Sequence, residues 1–223
     1  MQALPKAWVS WSTGKDSAFA LYQARQRGEV EIVGVLTTVT AAYERVSMHG
    51  VREQLLDRQL LELGLPCFKV SIPSPCPNEI YEQRMAEAMA FAKTQGVTHV
   101  VFGDLFLEDI RAYREAKLAA IQMSCVFPLW LRDTRELAEE MLASGLSATL
   151  TCVDPKQLSA EFAGRTFDRA LLLELPASVD PCGERGEFHT FATRGPMFRQ
   201  PIPVTPGAVI ERDGFVFADL MPV

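Results

Sequence analysis

The sequence predicts an α/β fold in which helices cover both faces of an open, mostly parallel sheet, followed by a smaller C-terminal domain. Short apolar runs rich in β-branched residues alternate with longer amphipathic stretches as far as Val153. This alternation is typical of buried parallel strands joined by right-handed helical crossovers. From Asp154 onward it stops, and proline and glycine become frequent. We therefore expect one domain at residues 1–153 and a second at residues 154–223.

Five short runs are predicted to be strands of this sheet, because each is nearly continuous in apolar, β-branched residues. They are AWVSW, EIVGVLTTV, CFKVSI, THVVFG and SATLTCV, at residues 7–11, 31–39, 67–72, 98–103 and 147–153. A further short strand is predicted at PLW, residues 128–130. Strands of this kind are buried on both faces, so the stretches between them have to supply the covering helices.

Amphipathic stretches between the strands are predicted to be these helices. SAFALYQARQRG and GVREQLLDRQLLELG each end in a glycine, which favours a helix C-terminus. NEIYEQRMAEAMAFAKTQG begins with an asparagine, a frequent N-cap, and stops at Gly96. EDIRAYREAKLAAIQM and TRELAEEMLASG complete the set. In such sheets a ligand binds beyond the carboxyl ends of the strands, where the strand order reverses.

The C-terminal part has a different character. Its first stretch, DPKQLSAEFAGRTFDRALLLELP, still spaces its apolar residues as a helix would. From Ala177 the chain is rich in proline and glycine. Its last stretch, AVIERDGFVFADLMPV, is typical of a short hairpin that turns at Asp213 and Gly214.

The composition argues against several classes of protein. Apolar residues make up 48% of the 223-residue chain, which is enough for a packed core and argues against global disorder. The net charge of −6 argues against non-specific binding to nucleic acid and leaves a local basic groove as the alternative, so we expect no nucleic-acid partner. We expect no membrane span, because no apolar stretch is long enough, and no signal peptide at the N-terminus MQALPKAWVSW. The five cysteines are dispersed without a CxxC pair, so we expect reduced thiols in the cytoplasm and neither zinc nor an iron–sulfur cluster.

The turn after the first predicted strand, SWSTGKDS at residues 10–17, has the features of an anion site. It precedes a helix, whose first N–H groups and dipole favour a phosphate. It is neither a Walker A loop, because Gly14–Lys15 is followed by Asp16, nor a GxGxxG turn. Asp16 would repel a phosphate unless Mg²⁺ bridges the two, and carboxylates suit that ion. A capped helix with a surface lysine is the plainer alternative. The expected phosphate ligands are Ser10, Ser12, Thr13, Gly14, Lys15 and Ser17.

SWSTGKDS resembles the pyrophosphate-binding SGGKDS loop of the N-type ATP pyrophosphatases (PP-loop enzymes), which cleave ATP between its α and β phosphates. Other segments resemble the diphthine–ammonia ligase family, in particular its bacterial branch: TTVTAAYERVSMHGVR, FGDLFLEDIRAYRE, VFPLW, FAGRTFD and PCGERGEFHTF. The resemblance spans essentially the whole chain and implies the adenine nucleotide alpha hydrolase-like (HUP-type) fold. Two residues depart from the family pattern, since Thr13 stands at the second glycine of the loop and His189 stands at a glutamate.

The resemblance also implies roles for residues outside the loop. Thr37 and Thr38 end the second strand, where backbone groups would read adenine. Asp104 follows a strand end, where α/β sites lie, and would hold Mg²⁺ or a ribose hydroxyl; a helix cap is the plainer alternative. Lys15, Asp16 and Asp104 would be the catalytic group. Contacts to the acceptor would come from His49, Glu184, Glu187 and His189, for which a capped histidine and an exposed charged turn are the plainer alternatives.

The activity that the resemblance implies is that of an ATP-dependent ligase. A carboxylate of a small or protein-borne acceptor would attack the α-phosphorus, and ammonia would then displace AMP to leave an amide. The resemblance implies this reaction class and leaves the acceptor open; a homodimer is one possibility. One alternative is thiolation of tRNA through the same activation, with Cys182 as a conceivable nucleophile. The other is a sensor that binds ATP without turning it over.

Overall fold

Two sheets organise the chain, which the computed structural model describes from residue 3 to residue 223. In chain order the strands of the first sheet are β1 (Lys6–Ser10), β2 (Glu31–Thr40), β3 (Arg45–Val46), β4 (Cys67–Ile72), β5 (Val97–Val101) and β6 (Ser124–Val126). All are parallel in the order β4-β2-β1-β5-β6, except that β3 runs antiparallel to the end of β2. The order reverses between β1 and β5, so their carboxyl ends mark the place where such sheets bind ligands.

Helices cover both faces of the first sheet. They are α1 (Lys15–Arg27), α2 (Glu53–Leu63), α3 (Asn78–Thr94), α4 (Glu108–Ala119) and α5 (Thr134–Ala143). Side chains alternate along β1, so that Ala7 and Val9 share a core with α1 and α2, whereas Trp8 shares one with α3 and α4. We call the α1 and α2 side the closed face and the α3 and α4 side the open face.

The second sheet contains β7 (Ser147–Val153), β8 (Phe188–Arg194), β9 (Val204–Arg212) and β10 (Phe215–Pro222). These strands are antiparallel in the order β8-β7-β10-β9. The second sheet lies against the closed face, because Leu150 and Phe191 share one core with Phe19 of α1 and Leu55 of α2. Strand β8 thereby reaches the loop that follows β1.

The predicted α/β fold is confirmed, and the predicted elements of the first sheet lie within a few residues of the observed ones, with two exceptions. PLW at residues 128–130 is a turn, and the strand precedes it as β6. SATLTCV does form a strand, β7, but it is antiparallel and belongs to the second sheet. A continuous apolar run indicates a strand buried on both faces and carries no information on the direction of its neighbours.

The helical prediction for residues 154–176 is wrong over most of its length. Only a 3₁₀ turn at Ala160–Phe162 and the short helix α6 (Arg169–Glu174) are helical. Gly164 lies between them with a φ of 83°, which a continuing helix cannot accommodate. The apolar side chains Leu158 and Phe167 are nevertheless buried, because turns deliver them to the core instead.

The predicted C-terminal hairpin is confirmed as β9 and β10. Asp213 and Gly214 have φ values of 53° and 80°, as a two-residue turn with left-handed central positions requires. The division of the chain at residues 153 and 154 remains a prediction. Between residues 3 and 223 no helix has both the length and the apolar content needed to cross a membrane.

Candidate active site

The loop between β1 and α1 spans residues 11–14 and is held by a network of short polar contacts. Ser12 Oγ lies 3.1 Å from Ser17 Oγ and accepts a hydrogen bond from Gly14 N at 3.3 Å. Ser12 N also donates to Ser17 Oγ, at 3.3 Å. Two hydroxyls thus gather at the N-terminus of α1, beside its first N–H groups, an arrangement that suits an anion.

Thr13 stands where the related loop has its second glycine, and its surroundings explain how a threonine is accommodated there. Its φ is 71°, in the left-handed region that a β-branched residue rarely adopts. Its carbonyl is held from two sides, by Gln59 Nε2 at 3.0 Å and by Ala192 N at 2.9 Å. Its hydroxyl is buried and has no hydrogen-bond partner among the described residues, and its expected role as a phosphate ligand remains a prediction. The strained conformation persists because α2 and β8 fix it from outside.

Gln59 on α2 is a central residue of the site that the sequence analysis missed. It is fully buried, accepts a hydrogen bond from Trp11 Nε1 at 2.9 Å and donates to Ala192 O at 2.7 Å, besides its bond to Thr13 O. A signal was present in the sequence, because Gln59 falls on the leucine stripe of α2. A polar residue at such a position has to find partners inside the protein.

Gly14 is required by the close approach of a histidine. A Cβ atom at this position would lie 2.7 Å from His49 Cε1 and 3.2 Å from Thr190 O. His49 Nδ1 lies 2.9 Å from Thr190 O and therefore donates to it, which leaves Nε2 as the acceptor of a neutral ring. The predicted residues Gly14 and His49 are thus direct neighbours.

His49 and His189 stack on each other beside the loop. Their ring centroids are 4.7 Å apart, with 33° between the planes. Burial and the neighbouring His189 lower the pKa of His49 to about 3. Burial, with a smaller contribution from Lys15, lowers the pKa of His189 to about 4. Both imidazoles are therefore neutral at pH 7 and offer polar, uncharged ring edges.

The turn that carries His49 is clamped by the second sheet. Asp219 on β10 accepts hydrogen bonds from Arg45 Nη1 at 2.8 Å and from Arg52 Nη2 at 2.6 Å. Arg45 precedes this turn and Arg52 follows it. Gly50, with a φ of 66°, lies under Phe217, and a Cβ there would come within 2.5 Å of that ring. The second sheet therefore fixes where His49 lies.

Lys15 is buried to 1% exposure and does not belong to the cleft described below. Its Nζ donates to both oxygens of Asp16, at 3.0 and 2.9 Å, and to Cys182 O. Its backbone N–H donates to Thr190 Oγ1 at 3.1 Å. The predicted role of Lys15 as a phosphate ligand remains a prediction, and its ammonium in this structure faces the C-terminal part of the chain.

Asp104 and Glu184 lie on the same side of the loop as Asp16. Asp104 pairs with Arg114 at 3.0 Å, and Glu184 Oε1 accepts a hydrogen bond from Leu105 N at 2.7 Å. Burial raises the pKa of Glu184 to about 7, with the Asp16 and Asp104 charges adding to it and the Leu105 N–H opposing it. Glu184 can therefore hold or release a proton near neutral pH.

Glu187 is placed differently from Glu184, although both belong to the segment GERGE. Glu187 is buried to 1% exposure, and its oxygens accept hydrogen bonds from Asp180 N and Arg185 N, both at 2.9 Å. Asp180 in turn accepts from the backbone N–H groups of Cys182 and Glu184. These two carboxylates build the loop of residues 180–187. The expected contact between Glu187 and an acceptor remains a prediction.

A cleft of about 960 Å³ opens at the carboxyl ends of β1, β2 and β5 and extends between α3 and α4 on the open face. Its near end is lined by Ser10, Ser12, Thr38, His49 and His189. Thr37, by contrast, is buried on the other side of β2, where its hydroxyl accepts from Cys67 Sγ at 3.7 Å. Of the two predicted threonines, only Thr38 therefore lines the cleft with its side chain.

The far end of the cleft is mostly apolar and is bridged by polar contacts between the two helices. Met85 and Met89 line it from α3, and Leu118 lines it from α4. Lys117 Nζ bonds to Glu82 Oε1 at 2.8 Å across the cleft, and Lys93 Nζ bonds to Ile121 O at 2.9 Å. A cleft of this size and character accommodates a small organic ligand such as a nucleotide.

A magnesium site made of protein ligands alone does not fit these residues. In the part of the chain that the structure describes, no three His, Cys, Asp or Glu side chains are grouped to hold a metal ion. Asp16 keeps 28% of its side chain exposed while it is bonded to Lys15. It suits the other common mode, in which Mg²⁺ is bound through one or two carboxylates and the phosphates of a nucleotide.

Comparison with known proteins finds two matching family models. The diphthamide synthase N-terminal domain matches residues 5–118, and the diphthamide synthase C-terminal domain matches residues 133–216. Together they include the loop at residues 10–17 and the loop at residues 180–187.

The relatives that carry the name diphthine–ammonia ligase include the following three proteins. The protein from Homo sapiens is 33% identical over 235 aligned residues, which cover 93% of this chain and 85% of the relative. The protein from Danio rerio is 26% identical over 211 residues, covering 86% and 83%. The protein from Schizosaccharomyces pombe is 33% identical over 87 residues, and the match spans 37% of this chain and only 14% of that longer relative.

Proposed function

Since the chain belongs to the diphthamide synthase family, we propose that it is an ATP-dependent ligase which adenylates a carboxylate of its acceptor and passes the acyl group to ammonia. The observation that carries the proposal is the turn after β1, where Ser12 lines a nucleotide-sized cleft and its hydroxyl lies 3.1 Å from that of Ser17 in the first turn of α1. The relatives named diphthine–ammonia ligase support the ligase class at 26–33% identity.

In the first step an oxygen of the acceptor carboxylate attacks the α-phosphorus of ATP, and the bond from this phosphorus to the bridging oxygen breaks. Pyrophosphate leaves and would be held by the hydroxyls of Ser12 and Ser17, with the dipole at the start of α1 favouring its charge. Asp16, with Asp104 nearby, would hold the Mg²⁺ that accompanies ATP, and this ion neutralises charge on the phosphates. The adenosine would extend past Thr38 into the cleft between α3 and α4.

In the second step the nitrogen of neutral ammonia attacks the acyl carbon, and the bond to AMP breaks. The attached nitrogen has to lose a proton to become a neutral amide. Glu184 is suited to take it, because its pKa of about 7 leaves a large fraction unprotonated at neutral pH. Ammonium attracted by the Asp16 and Asp104 charges would first have to lose a separate proton, because only neutral ammonia has the free electron pair needed for attack.

The acceptor would approach past His49 and His189, which line the cleft next to Ser12. Diphthine, the substrate in the relatives' name, is the first acceptor to test. His189 stands where the ligase pattern has glutamate, so the acceptor meets a neutral imidazole instead of a carboxylate there. The cytoplasmic location and the homodimer considered above remain predictions.

The proposal is tested by phosphorus NMR of Mg·ATP with the protein, ammonium and either a diphthine-bearing protein or a deproteinised bacterial extract. We expect AMP and pyrophosphate to appear only when an acceptor is present. Ser12→Ala should lower this rate at least about tenfold, because one phosphate ligand is removed. Ser144→Ala, which changes a serine at the C-terminal cap of α5, is the matched control and should retain the wild-type rate.

Formation of ADP and phosphate would contradict the proposal, since the bond broken would be the wrong one. Unchanged ATP despite measurable binding would favour the sensor. Thiolation has less support in this structure: Cys182 is 1% exposed, and burial raises the pKa of its thiol well above the usual range. A thiol held protonated in this way is a poor nucleophile.

A further inference from the structure

The ammonium of Lys15 is surrounded by residues that are distant in sequence. Nζ lies 5.3 Å from the ring centroid of Phe167 and 5.2 Å from that of Phe188. It also donates to the backbone carbonyl of Cys182, in the loop of residues 180–187. Apart from Asp16, the hydrogen-bond and aromatic partners of this ammonium among residues 3–223 therefore belong to the C-terminal part of the chain.

These contacts suit a cation that stays where it is. Two aromatic faces stabilise a desolvated ammonium, and the two oxygens of Asp16 at 2.9 and 3.0 Å balance its charge. Burial is the largest single influence and lowers the pKa of Lys15, but Asp16, with smaller contributions from Cys182 and Asp180, raises it overall. To reach a ligand in the cleft, Nζ would have to leave both rings, the Cys182 carbonyl and Asp16, and each of these contacts would be lost.

We propose that Lys15 is a positioning residue which fixes the Asp16 carboxylate and ties the loop of residues 180–187 to the start of α1, and that it is not a phosphate ligand. The contacts that carry this inference are the bidentate bond to Asp16, the bond to Cys182 O and the two aromatic rings. Its consequence for nucleotide binding rests on the proposed function; its consequence for the loop does not.

The position of Lys15 links two parts of the site. Asp180 accepts hydrogen bonds from Cys182 N and Glu184 N, so the loop held by Lys15 is the one that carries Glu184. The opposite end of Lys15, its backbone N–H, donates to Thr190 on β8. One residue thus holds the phosphate loop against two segments of the C-terminal part, and Asp16 lies between them.

The first experiment measures the loop directly, by hydrogen exchange of the amides of Cys182 and Glu184 without nucleotide. In Lys15→Met we expect exchange at these amides to rise roughly tenfold or more, because the loop loses its attachment. We also expect the melting temperature to fall by about 10 °C, since Asp16 is left without its partner. Adding Asp16→Asn should restore part of this loss. Lys156→Met, which removes an exposed lysine of the C-terminal part, is the matched control and should change neither quantity.

The second experiment measures the affinity for Mg²⁺ with α,β-methylene ATP, a non-cleavable analogue, in wild type, both single variants and the double variant. If Lys15 acts through Asp16, Lys15→Met weakens binding in the wild-type background and changes it less than about twofold in the Asp16→Asn background. A further tenfold loss in that background would show a direct contact with phosphate and would overturn the proposal.

The two experiments separate this inference from the proposed function. Failure of the wild type to bind the analogue would contradict the proposed function, while the exchange rates would still decide the role of Lys15. Unchanged exchange at Cys182 and Glu184 in Lys15→Met would overturn the inference. If that variant does not fold, Phe188→Leu takes its place, because it weakens the aromatic contact and leaves the Lys15–Asp16 pair. The same rise in exchange is expected, and its absence would overturn the inference.

Discussion

The closed and open faces of the first sheet differ in how their helices are buried. On the closed face, α1 buries seven of its 13 residues, because the second sheet lies over it. On the open face, α3 is longer, with 17 residues, yet it buries only three of them. The space that α3 and α4 leave uncovered is the cleft.

This difference separates two tasks. The closed face fixes the backbone of the loop between β1 and α1, down to a threonine in a left-handed conformation. The open face leaves volume for a ligand at the same edge of the sheet. A site that has to hold phosphates rigidly and admit a larger molecule benefits from both, because preorganised donors are effective only when they do not move. Three substitutions test this division.

The largest effect is expected on the closed face, at Gln59. Gln59→Leu leaves Trp11 Nε1 and Ala192 O without their buried partners and removes one bond to Thr13 O. Unsatisfied buried polar groups cost about 1–3 kcal/mol each, so we expect the free energy of unfolding to fall by about 3–5 kcal/mol. Urea denaturation measures it.

The matched control for Gln59 is Gln83→Leu on α3, whose side chain bonds only to the exposed Glu87. Gln83→Leu should change the free energy of unfolding by no more than about 0.5 kcal/mol. Equal losses at the two glutamines would show that the faces do not differ as described.

An intermediate effect is expected at the boundary of the two faces, where His189 lies. Its pKa is lowered to about 4 in the folded chain, against about 6.5 in the unfolded chain, so the unfolded chain binds more protons between these values. The contribution of neutral His189 to the free energy of unfolding is therefore fully present above pH 6.5 and is lost as the pH falls towards 4.

Between pH 6.5 and pH 4, the free energy of unfolding of His189→Gln should fall by about 2 kcal/mol less than that of the wild type, because the residue no longer titrates. Urea denaturation at a series of pH values measures it. Parallel curves for the two proteins would contradict the buried, neutral state of this histidine.

The smallest effect is expected at Thr13. Thr13→Gly relieves a left-handed conformation that costs an L-residue about 1–2 kcal/mol, and it loses part of this gain through the greater freedom of glycine when unfolded. We expect a net gain of about 1 kcal/mol by urea denaturation.

Thr151 provides the control for Thr13. It is equally buried but lies in an ordinary strand, β7, so Thr151→Gly should destabilise by about 1–2 kcal/mol. A loss at Thr13 as large as that at Thr151 would mean that its backbone carries no strain.

The sequence predicted the first sheet and the loop well, because these depend on local patterns. A β-branched run, a serine-rich turn and an amphipathic stretch follow one another directly at residues 7–28. The direction of β7 was beyond reach, because its partners β8 and β10 lie far along the chain. Composition marks a strand, but only distant residues decide which sheet it joins.

For the candidate residues, residue type and position in the chain predicted which side chains lie close together better than they predicted what each side chain does. Ser12, His49 and His189 do lie together at the mouth of the cleft, and the buried Ser17 lies within hydrogen-bond distance of Ser12. Glu184 and Glu187 have the same chemistry and nearly the same place in the chain. Glu184 is close enough to Asp16 to be affected by its charge, whereas Glu187 accepts hydrogen bonds from backbone N–H groups of its own loop. Only tertiary contacts distinguish them.

The clamp formed by Asp219 has a consequence for folding kinetics. Its bonds to Arg45 and Arg52 join residues 174 and 167 positions apart, and Lys15 N and Thr190 are separated by 175. Closing loops of such length requires that most of the chain be ordered first, and contacts of this kind form slowly. We therefore expect a refolding chain to regain its helical circular dichroism before His49 and the loop of residues 11–14 reach their final places, so that the helices form earlier than the site.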